Sequence, residues 1–174
     1  MIGTGSWLRR LDDTGLPLLL ARVILAATFI YMGSMKLGEP FEFLKQVRQY
    51  RMLPETPAIY LNAIVIVLPW LEIVAGVALL IGLRFRGAAA AIALMLLVFT
   101  PAILIRALQI QADTGSSFFD IVFDCGCGTG PVTIWTKLLG NVGLFTLTLV
   151  VLLSRSRRFC LAAWFDRQPS IAVA

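Results

Sequence analysis

Four apolar runs, residues 16–37, 59–83, 88–108 and 134–153, constrain this chain more than any other feature. A helix of about 20 residues, rising about 1.5 Å per residue, matches a hydrocarbon layer about 30 Å thick. With no water in that layer, each run is expected to close its own backbone hydrogen bonds as a helix. Composition agrees: 59% of the 174 residues are hydrophobic and 14% charged, with a mean hydropathy of +0.86. Soluble domains lie nearer half apolar and a quarter charged. The expected fold class is all-α, an integral membrane four-helix bundle, with residues 1–174 forming a single membrane domain whose first partner is the lipid bilayer.

Between the first two runs, residues after Gly38-Glu39-Pro40 and up to about Leu53 are too short and too charged to span. Phe43, Leu44, Val47 and Tyr50 fall on one side of a helix and Glu42, Lys45, Gln46 and Gln49 on the other, which predicts an amphipathic interfacial helix over the outer end of the bundle. Pro54 and Pro57 are expected to end it. The first run follows a short charged lead-in, residues 1–15, and reads as an uncleaved anchor. Residues 84–87 are a short turn that makes the second and third spans antiparallel neighbours. Phe118, Phe119, Ile121, Val122 and Phe123 are expected on the bundle mouth, and the fourth helix is expected from Pro131 or soon after.

Arg22 and Glu72 fall well inside the spans. Arg22, in the first turns of span one, can snorkel to nearby headgroups or enter a buried ion pair. Glu72 follows Pro69, which removes a helical hydrogen bond, and a carboxylate at that depth must face the interior, be protonated or pair with a cation such as Arg22. Gly76 and Gly82 mark places where another helix can approach closely.

The remaining chemistry is concentrated in Asp124-Cys125-Gly126-Cys127-Gly128, with two thiols one residue apart. Such a pair can form a disulfide, hold a soft metal ion or simply occupy a turn. Gly126 permits the tight bend, and an eleven-membered ring departs from relaxed disulfide geometry, which favours exchange over permanent cross-linking. With the fourth helix starting at Pro131 or soon after, Cys127 would sit just ahead of a helix N-terminus, which lowers a thiol pKa, with Asp124 opposing. The chain has no histidine, which excludes a Ser-His-Asp hydrolase and His-ligated haem, and a closed zinc site would need ligands from another chain. A net charge of +5 and a pI near 9.6 do not point to nucleic acid, because the cations sit at the ends of apolar runs.

Those cations also give an orientation. With four spans, Arg9, Arg10, Arg84, Arg86, Arg155, Arg157, Arg158 and Arg167 share the side of the termini, against Lys36, Lys45, Arg48, Arg51, Arg106 and Lys137 on the other. The excess places both termini in the cytosol. Cys125 and Cys127 then face the extracytoplasmic side, where disulfides persist, and Cys160 faces the reducing cytosol.

Gly33 with Lys36-Leu37, Phe43, Tyr50, Leu53-Pro54, Pro69-Trp70-Leu71-Glu72, Gly76, Leu79-Leu80 and Asp124-Cys125-Gly126-Cys127-Gly128, in that order, resemble the MauE/DoxX family of redox-associated membrane proteins over about residues 17–153. The resemblance implies a bundle in the bacterial cytoplasmic (inner) membrane, working beside a thioredoxin-like protein or a maturing oxidoreductase subunit. MauE-type members are associated with maturation of the disulfide-rich subunit of methylamine dehydrogenase. The architecture is also similar to quinone-linked DsbB and vitamin K epoxide reductase proteins, although those carry a second cysteine pair that this chain lacks on its outer side. On this reading Cys125 and Cys127 are the thiol-disulfide pair, and Glu72, with or without Arg22, is a proton or quinone-binding group, a quinone being the cofactor the resemblance allows. The alternative is a non-catalytic membrane anchor or assembly factor for an oxidoreductase complex, with structural cysteines.

Overall fold

A computed structural model describes residues 15–52, 59–82, 84–124, 126 and 130–154. Cys125, Cys127 and Cys160, the prolines at 54 and 57 and the arginines of both terminal segments lie outside the described residues.

The four apolar runs are helices: α1 (Leu16–Gly38), α3 (Ile59–Ile81), α4 (Phe85–Thr114) and α5 (Ile134–Leu153), each long and apolar enough to cross a membrane. The amphipathic segment is a fifth helix, α2 (Pro40–Gln49). It buries Phe43, half-buries Leu44, Val47 and Tyr50, and leaves Glu42 and Lys45 exposed as an ion pair 2.6 Å apart. It ends before the prolines expected to stop it, at Tyr50 and Arg51, where the backbone turns to φ 52°. α4 is longer than its apolar run and carries Gln109, Gln111 and Asp113 in its last turns, up to Gly115 at φ 68°.

The connection from α4 to α5 is more ordered than the sequence suggested. A 3-10 turn (Phe118–Asp120) leads into β1 (Val122–Asp124), which pairs antiparallel with β2 (Pro131–Thr133). Pro131 therefore does not open the last helix; it lies opposite Asp124 at the end of the hairpin, where a missing N–H is tolerated. α5 begins only at Ile134, so no helix N-terminus directly follows Cys127 and the expected pKa effect loses its cause.

α1 packs most closely on α3, through two glycines. A Cβ on Gly33 would fall 2.8 Å from the Pro69 carbonyl oxygen and 2.7 Å from Ile73 Cγ1; one on Gly76 would fall 2.7 Å from Ile30 Cγ1 and 3.0 Å from the Ala26 carbonyl oxygen. Two apolar cores result. One holds Leu18, Leu25, Phe29, Leu79, Ile92 and Leu96; the other, beneath the hairpin, holds Ile103, Ala107, Ile121 and Ile134, with Phe118 and Phe123 against it. Outward-facing Trp70, Leu94, Val98 and Val142 are more than half exposed, as side chains against lipid would be.

Candidate functional site

The crossing of α1 and α3 fixes the first polar contact of the site. Lys36 lies one helical turn beyond Gly33, and Glu72 belongs to the α3 surface that Gly33 touches. Lys36 Nζ donates to Glu72 Oε1, with both side chains buried. Lys36 also stands over the rings of Phe43 and Phe99, at 5.2 and 6.0 Å from their centroids. A buried carboxylate is held in this way by a cation and its field. The second oxygen of Glu72, Oε2, is buried without a hydrogen-bond partner among the described residues.

Arg22 is not the partner of Glu72. It is 1% exposed, and its Nε and Nη2 donate to the carbonyls of Leu79 and Leu80, at 2.8 and 3.2 Å. Those carbonyls belong to the last turn of α3, where helical N–H donors run out. The Phe85 ring lies 5.6 Å from the guanidinium carbon. Arg22 therefore ties α1 to the opposite end of α3, a structural duty that separates it from the Glu72 site, and it does not snorkel to the surface.

Above the ion pair sits the centre of the cysteine motif. Gly126 is buried at φ 75°, a conformation that suits glycine. Its N–H donates to Asp124 Oδ1 at 3.0 Å, while Gln46 Nε2 of α2 donates to Asp124 Oδ2 at 2.7 Å. A Cβ on Gly126 would lie 3.3 Å from Gln46 Oε1 and 3.4 Å from Phe43 Cε2. One carboxylate thus closes the turn around Gly126 and docks it on the interfacial helix. Tyr50 of α2 meets Phe123 of β1 edge to face, with centroids 6.0 Å apart.

Between Gly126 and the ion pair lies a cavity of about 260 Å³, lined by both together with Phe29, Met32, Phe43, Tyr50, Met95, Phe99 and Asn141. Asn141 is itself held by a 3.1 Å bond from its Nδ2 to Thr100 Oγ1. A second hollow of about 210 Å³, more polar, is bounded by Lys36, Glu39, Glu42, Gln46, Asp124 and Gly130. Lys36, Phe43 and Gln46 line both and form the wall between them.

Glu72 was legible in the sequence as a costly intramembrane carboxylate. The sequence shows Lys36 as an outer-side cation and as part of the family resemblance, and Gln46 as part of the polar side of the interfacial helix. The spacing of Gly33 and Lys36 by three residues, set beside Pro69 and Glu72, is the signal that carries the pair.

These features define a multi-pass membrane helical bundle with a buried ion pair and an apolar cavity under a docked Gly126. The chain belongs to the MauE family: the family model described as "Methylamine utilisation protein MauE" matches residues 14–154. It is 31% identical over 133 residues to the methylamine utilization protein MauE of Paracoccus denitrificans, an alignment covering 75% of this chain and 65% of that protein. No solved structure matches it.

Proposed function

We propose that this protein is a thiol-disulfide exchange component that supports maturation of an extracytoplasmic partner in methylamine utilisation, with Cys125 and Cys127 as the exchanging pair. The docking of Gly126 carries this reading: Asp124 and Gln46 hold the residue between the two cysteines at one place, on the interfacial helix. A turn that only joined two strands would need no such tie to α2. The family supplies the process, and the charge distribution supplies the side, with both termini cytosolic and the Cys-Gly-Cys turn extracytoplasmic.

The step is disulfide exchange. One thiolate attacks a sulfur of the partner's disulfide, forming a mixed disulfide and releasing one partner thiolate; the second cysteine, as its thiolate, attacks the mixed disulfide and releases the other. Two electrons pass to the partner, and Cys125 and Cys127 become a disulfide. The reverse sequence oxidises a partner dithiol. A thioredoxin-like protein or a maturing oxidoreductase subunit fits the partner role, because each presents a vicinal thiol pair or a disulfide to the outer side of the membrane. Glu72, held by Lys36 rather than Arg22, is the group placed to manage a proton or a cofactor head group beneath the turn.

Single variants test the exchange. With one cysteine removed, the mixed disulfide cannot be resolved internally, so Cys127→Ser or Cys125→Ser is expected to accumulate a reductant-sensitive adduct with the partner on non-reducing gels. Intact maturation of the partner in the Cys125→Ser, Cys127→Ser double variant would instead establish the non-catalytic assembly role.

A further inference from the structure

The cavity beneath Gly126 has a polar end and an apolar body, and its polar end is incomplete among the described residues. Glu72 is 1% exposed, Lys36 occupies its Oε1, and Oε2 has no hydrogen-bond partner among the described residues. Leaving a buried charged acceptor unmatched is costly, so the site calls for a donor. Beside it, the Lys36 ammonium has three N–H groups, of which Glu72 Oε1 takes one. The ion pair carries no net charge, which gives a cationic ligand no advantage. A hydroxyl, like an amide or a water molecule, can donate to a carboxylate oxygen and accept from an ammonium at once; a ketone or an ether does only the second.

The body of the cavity selects the rest of the molecule. Phe29, Phe43, Tyr50 and Phe99 contribute rings, and Met32 and Met95 contribute thioethers, which favour contact with an aromatic ring. Val98, also on the cavity wall, is 59% exposed in the middle of α4, so the cavity reaches the surface where hydrocarbon lies. We infer that this cavity binds a bilayer-soluble phenol, with its ring among the aromatic side chains and its hydroxyl donating to Glu72 Oε2. The inference deepens the reading of Glu72 as the group that meets a head group, and its test is independent of thiol exchange.

The test uses the full chain purified in detergent and three probes, 4-decylphenol, 4-decylanisole and 1-tetradecanol, with saturable binding followed by equilibrium dialysis. The anisole keeps the ring and loses the donor; the alcohol keeps the donor and loses the ring. A hydrogen bond to a charged acceptor predicts that the phenol binds about tenfold or more tightly than the anisole. The alcohol is expected to bind more weakly than the phenol. Glu72→Gln, which can offer an amide N–H in place of Oε2, should remove or reverse the preference for phenol over anisole. Ala102→Phe, which fills the cavity while leaving the ion pair in place, should abolish saturable binding of the phenol. Equal binding of phenol and anisole, absence of saturable binding, or unchanged binding in Ala102→Phe would each overturn the proposal, and an alcohol bound as tightly as the phenol would overturn its aromatic part. If Glu72→Gln does not fold, the wild-type ratio and Ala102→Phe still decide the question.

Discussion

Among the described residues Glu72 is tied at one oxygen and open at the other, and both facts follow from where Lys36 reaches it. Burying a carboxylate in a membrane span is tolerable because the ammonium neutralises it, and removing the ammonium alone leaves a buried charge uncompensated. Lys36→Met is therefore expected to lower stability by about 3–5 kcal/mol, measured by denaturant titration in mixed micelles. The Lys36→Met, Glu72→Leu double variant should recover most of that loss, since an apolar pair of similar volume removes both charges together. A double variant as unstable as the single one would show that the pair holds the fold through its shape, not its charge. The sequence displayed Glu72 plainly, because any carboxylate at that depth demands an explanation. Its partner was hidden: pairing depends on how far α1 slides along α3, and Arg22 satisfied the same charge argument as Lys36. Gln46 was hidden for a related reason, since its bond to Asp124 joins residues 78 positions apart.

At the scale of elements, the slide is set by the two glycines. Gly33 and Gly76 let α1 and α3 meet backbone to side chain, and that contact places Lys36 opposite Glu72 and Arg22 opposite the last carbonyls of α3. Gly33→Ala would put a methyl 2.8 Å from the Pro69 carbonyl oxygen, which the backbone cannot easily yield. Overpacking of this kind costs about 1–3 kcal/mol. Gly143 on α5 has nothing within 4 Å of its added Cβ, so Gly143→Ala is expected to leave stability unchanged or to raise it by up to about 1 kcal/mol. Equal responses at the two positions, in the same micelle titration, would contradict the close crossing. The spans and the interfacial helix were readable from hydropathy and period because each is long enough to repeat its pattern. The β1–β2 hairpin was not, since strands of three residues are too short to display alternation, and Pro131 carried a stronger helix-start signal than a strand signal.

Across the whole molecule, the two ends of the bundle differ in kind. One end is closed by arginines that donate to backbone carbonyls, Arg22 to Leu79 and Leu80, and Arg86 to Ser154 at 2.8 Å. The other carries the interfacial helix, the hairpin and the two hollows separated by Lys36, Phe43 and Gln46. On the proposed reading the first end is the arginine-rich, cytosolic side of the charge distribution, and the second faces an oxidising compartment and a soluble partner. The central claim is that Cys125 and Cys127 form an outward-facing pair that cycles between disulfide and dithiol. It is tested most directly by treating intact cells with a membrane-impermeant, mass-shifting maleimide, with and without mild prior reduction, in the wild type and in Cys125→Ser and Cys127→Ser. The account predicts two added masses in the wild type only after reduction, and one in each single variant that holds no adduct. A single added mass in intact cells that persists in both single variants, as from Cys160, with two masses appearing in inverted membrane vesicles only after reduction, would place the pair on the cytosolic side and contradict it.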